Sequence, residues 1–78
     1  MNNEEKRTAL TQGIYSAMLD VLKRRNPDPV LGAECVINAT INMLRNIADT
    51  ARCPDTDRFV SDLMREAASQ IENKHKKS

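Results

Sequence analysis

Glu72 and His75 stand at i and i+3, the spacing with which helical di-iron sites gather a carboxylate and an imidazole on one face. Such sites need two of these pairs and further inward-facing glutamates, whereas this pair stands alone and holds the chain's single histidine. No metal and no cofactor are expected from it. Asp55 and Asp57 have the alternate spacing that opens a calcium-binding loop, but the glycine that such a loop requires is missing. Capping of a following helix accounts for them more simply. Cys35 and Cys53 lie eighteen positions apart. On one helix that is about 27 Å at 1.5 Å per residue, far beyond the ~7 Å between Cα atoms that a disulfide tolerates. Each is expected to be a small, half-buried hydrophobe.

Catalysis finds no better footing. One histidine near the end of the chain does not serve a buried nucleophile, and Gly13 and Gly32 are isolated rather than part of a phosphate-cradling turn. No catalytic residue is assigned, and no enzymatic activity of the chain's own is expected. Glu34, Asn38, Asn42, Arg45, Asp49 and Arg52 recur at steps of three and four, forming one ridge. Paired asparagines can read a base edge or a partner's backbone. The ridge lacks the positive surroundings that nucleic-acid binding uses. A solvated face with local pairs, such as Arg45 with Asp49, is the plainer explanation.

The elements that carry these residues are three helices separated by two Pro-Asp breaks. The first spans about 4–25: Leu10, Gly13, Ile14, Ala17, Met18, Val21 and Leu22 follow the periodicity of one helix face. Asn2 or Asn3 suits the N-cap, Glu4 and Glu5 the positive dipole end, and Lys23, Arg24 and Arg25 the negative end. Asn26-Pro27-Asp28-Pro29 then breaks the chain, because a residue before proline is pushed out of the helical region. Asp28 as N-cap with Pro29 at the first helical position restarts it. The second helix, about 29–52, has the widest apolar arc, including Val30, Val36, Ile37, Ile41, Leu44, Ile47 and Ala48, as befits a central helix with two neighbours. After Cys53-Pro54, with Asp55 or Thr56 as cap, the third helix covers about 56–73 with the stripe Phe59, Val60, Leu63, Met64, Ala67, Ala68 and Ile71. Short connections between similar helices favour antiparallel neighbours. The expected fold is all-α: a single small domain, an up-down-up three-helix bundle that dimerisation can complete, with a frayed basic tail at about 74–78.

Composition limits what such a domain does. A chain of 78 residues hides only about 60–65% of the surface its unfolded form exposes. Tyr15 and Phe59 are its only aromatic side chains. Association with a second chain is a natural way to add core. Twelve basic and eleven acidic side chains give a net charge of +1, which disfavours a general nucleic-acid or membrane-surface binder. No apolar run approaches the ~20 residues that span a bilayer. The opening Met1-Asn2-Asn3-Glu4-Glu5 is unlike a secretory signal, and a cytoplasmic location is expected.

Two surfaces remain to be explained. Tyr15, Leu19 and Leu22 stand at i, i+4 and i+7, displaced from the stripe centred on Leu10, Ile14, Ala17 and Val21. They are the candidate anchors of a protein-binding or self-association seam, a homodimer being favoured. Lys23, Arg24 and Arg25, with Lys74, Lys76 and Lys77, form two small basic clusters. These are the candidate contacts of the alternative function, an accessory regulator touching nucleic acid weakly. The leading expectation is a small helical protein–protein interaction module.

Overall fold

The computed structural model describes residues 2–76, with side chains for residues 2–74. It consists of three α-helices, α1 (Asn3–Arg25), α2 (Pro29–Thr50) and α3 (Thr56–Lys76), and the described residues contain no strand. The chain packs as two compact units, Met1–Val36 and Ile37–Ser78. α2 contributes its first two turns to one unit and the remainder to the other, but much of the apolar arc expected to meet two neighbours is exposed, with Val30 at 68%, Ile37 at 51% and Ile47 at 49%.

Each helix begins where its sequence provides an acceptor for orphan N–H groups. Asn2 caps α1, its Oδ1 accepting from the Glu5 N–H at 2.8 Å. Asp28 Oδ1 accepts from the Leu31 N–H at 3.0 Å, and Asp55 Oδ1 from the Arg58 N–H at 3.1 Å. Asp55, not Thr56, is therefore the cap of α3, and its carboxylate is committed to the backbone.

The helix ends depend on left-handed residues. Asn26 takes φ 48° and ψ 52°, and its N–H donates to Leu22 O at 2.7 Å. α2 stops at Thr50, two residues before the end expected from its pattern. Arg52 takes φ 56°, Cys53 N–H donates to Ala48 O at 3.0 Å, and Arg52 N–H donates to Asp49 O at 3.1 Å. That pair of bonds closes a Schellman motif. An arginine where glycine is usual costs about 1 kcal/mol of backbone strain. α3 instead runs to Lys76, past the expected end at Asn73, so Lys74 continues the helix. Lys77 and Ser78 lie outside the described residues.

In the first unit, Met18, Leu19 and Leu22 are half-buried, and Gly32 is buried. A methyl group on Gly32 would lie 3.5 Å from Pro27 Cγ and 3.6 Å from Leu22 Cδ2. The end of α1 and the start of α2 therefore meet across the Pro27 turn. In the second unit α2 and α3 form a helical hairpin. Its buried side chains are Ala48, with no exposure, and Val60, at 7%. Ile41, Leu44, Phe59, Leu63 and Met64 are half-buried around them.

The core is thinner than composition alone suggests. Among the described residues only Gly32 in the first unit and Ala48 and Val60 in the second are buried.

Candidate functional site

The apolar surface of α1 is arranged differently from the sequence expectation. The stripe read as its core face is exposed: Leu10 at 67%, Ile14 at 53% and Val21 at 48%, with Ala17 also exposed. No residue of this helix is buried. The physical reason lies in the Pro27 turn. Met18, Leu19 and Leu22 are the side chains held half-buried in this unit, and at 100° per residue their arc lies to one side of Leu10, Ile14, Ala17 and Val21. Of the three candidate anchors, Leu19 and Leu22 therefore carry much of the packing inside the unit. Tyr15 stays 60% exposed. Gly13, expected to face the core and let helices approach, has open space for 4 Å around the point where a Cβ would stand.

The polar candidates are tied to structure. Arg45 pairs with Asp57 at 3.6 Å, bridging α2 and α3, rather than with Asp49 as its spacing suggested. Asp49 Oδ1 accepts from Thr56 Oγ1 at 3.1 Å, fastening the loop of the hairpin. The lower half of the α2 ridge is thus turned toward α3 and is not simply a solvated face. The outer face of α3 is solvated as expected, with Asp62 paired to Arg58 at 4.0 Å and to Arg65 at 3.7 Å. These pairs are well exposed and contribute little stability. Cys35 is exposed, contrary to the half-buried position expected for it; Cys53 is half-buried. Both thiols are free.

An open groove of about 530 Å³ runs along the hairpin, lined by Ile41, Arg45, Asp57, Val60, Ser61, Met64 and Arg65. Its charged groups are already engaged in the Arg45–Asp57 and Arg65–Asp62 pairs. No set of three or more His, Cys, Asp or Glu side chains among the described residues is gathered to hold a metal ion.

Of the basic candidates, Lys23, Arg24 and Arg25 are exposed in the last turn of α1, where they complement the negative dipole end. Arg24 Nε also donates to Asp20 O at 3.4 Å. Lys74 is exposed on α3, while the side chain of Lys76 and all of Lys77 lie outside the described residues.

Fold and surface together define an all-α chain of three helices with an uncovered apolar stripe on the first. Among the described residues, no helix is long and apolar enough to cross a membrane. No protein-family model, curated protein or solved structure matches the chain.

Proposed function

We propose that this chain is a small helical protein–protein interaction module that self-associates through α1 as a homodimer, acting by binding rather than by catalysis, in the cytoplasm. The observation that supports the reading is that α1, 23 residues long, buries none of its side chains while presenting Leu10, Ile14 and Val21 on one exposed face. Helices in proteins owe most of their stability to packing of such a face. Contiguous exposed apolar surface on a small protein marks an interaction site. Tyr15 stands on the other apolar arc, with Leu19 and Leu22, about 130° around the helix from the centre of the stripe. Lys23, Arg24 and Arg25 serve in this reading as helix-end charges rather than as a nucleic-acid contact.

Hydrogen exchange at two protein concentrations tests the proposal. The amides from Leu10 to Val21 are expected to exchange markedly more slowly at high micromolar concentration than at low. Those around Ala48 and Val60, buried within the hairpin, should not change. Equal exchange of the α1 amides at both concentrations would overturn the proposal, because cover by a second chain obeys mass action.

A further inference from the structure

We infer that the second copy covers the α1 stripe with its own α1, running antiparallel, about a two-fold axis between Ile14 and Ala17. This deepens the proposed self-association and rests on it. Three features of α1 support the geometry.

The first is spacing. Leu10, Ile14, Ala17 and Val21 are separated by four, three and four residues, so the stripe reads the same in both directions. Reversed against itself it places Leu10 opposite Val21 of the second copy and Ile14 opposite Ala17. Alternating steps of three and four are those of a coiled-coil seam.

The second is size. The central layers set the bulky Ile14 against the methyl of Ala17, twice, so that each large side chain meets a small one across the axis. Gly13 lies beside that crossing with open space around it, which lets the two backbones come close.

The third is charge. The first turn of α1 carries Glu4 and Glu5, and its last turn carries Lys23, Arg24 and Arg25. The start is charge-balanced, because Lys6 and Arg7 follow the two glutamates, whereas the end is purely basic; antiparallel pairing brings each balanced start to a basic end and opposes the two helix dipoles. In this register Glu4 comes nearest Arg25 of the second copy. Arg7 also approaches Arg24 there; its guanidinium lies 3.8 Å from Glu4, which offsets that repulsion. A parallel pair would instead stack the two basic ends, Lys23, Arg24 and Arg25, on each other. The same patch is used by both copies, as a two-fold interface requires.

Disulfide trapping distinguishes the arrangements. In a background of Cys35→Ser and Cys53→Ser, Leu10→Cys and Val21→Cys are made separately and then mixed under mild oxidation. Both positions are exposed, so neither change disturbs the packing of the protomer. The expected result is a Leu10→Cys/Val21→Cys heterodimer, with little self-linked product from either variant alone. In antiparallel register two copies of either position lie about 16 Å apart along the axis, too far for a disulfide. Self-linking of each variant without the mixed product means parallel pairing. That overturns this inference and leaves self-association standing. A dimer of unchanged mass that links in neither way removes α1 pairing from the interface. A monomer removes both readings.

Discussion

Ala48→Glu is expected to unfold the α2–α3 hairpin at ordinary temperature. Ala48 has no exposed surface, and its carbonyl accepts the Cys53 N–H that closes the end of α2. Enlarging a side chain in a packed core costs about 1–3 kcal/mol. A glutamate adds the burial of a charge with no partner, a further several kcal/mol. A domain of this length has a total stability of roughly 4–12 kcal/mol at 0.05–0.15 kcal/mol per residue. The substitution consumes most of it. Ala33→Glu is the control, being on the same helix and exposed. It should change stability by no more than about 0.5 kcal/mol. Far-UV circular dichroism during a thermal melt reads both. Equal melting of the two variants would show that Ala48 is not part of the core.

Ile14→Glu should separate the dimer without harming the protomer. Its side chain is half exposed in the single chain and belongs to the central layers of the proposed pair, so a glutamate is solvated in the monomer and buried in the dimer. Both copies carry the change, and each carboxylate is set against Ala17 of the other copy, the two charges lying only about 4.5 Å apart along the axis. A penalty of about 1.5–2.5 kcal/mol per copy raises the dissociation constant by roughly two to four orders of magnitude. Leu19→Glu supplies the contrast. Leu19 is half-buried inside its own unit, so that substitution should lower the melting temperature and leave a smaller mark on the association constant. Sedimentation equilibrium of the two variants separates these effects. A larger change in mass for Leu19→Glu than for Ile14→Glu would return the interface to the Tyr15–Leu19–Leu22 side of the helix.

The helices were legible in the sequence because their signals are local. Asn2, Asp28 and Asp55 each act within four residues of their own position, and Pro29 opens α2 where its missing N–H does no harm. The end of α2 was less legible. A left-handed arginine carries no compositional mark of the kind glycine gives, so Arg52 looked like one more helical residue. Periodicity also showed that α1 has two apolar arcs. It did not show which arc the Pro27 turn holds against the rest of the unit, since Leu22 and Gly32 meet only after the chain reverses. The Arg45–Asp57 pair was hidden for the same reason: Asp49 is closer in sequence, but the hairpin engages it with Thr56.

The most direct measurement is the solution mass of the unaltered chain across a concentration series. A self-associating α1 predicts a mass approaching twice 8.8 kDa at high micromolar concentration, falling toward 8.8 kDa on dilution. Because the stripe is apolar, moderate salt should alter that midpoint only slightly. A mass of 8.8 kDa at every concentration would contradict the proposal and leave the exposed face of α1 without a second copy to cover it.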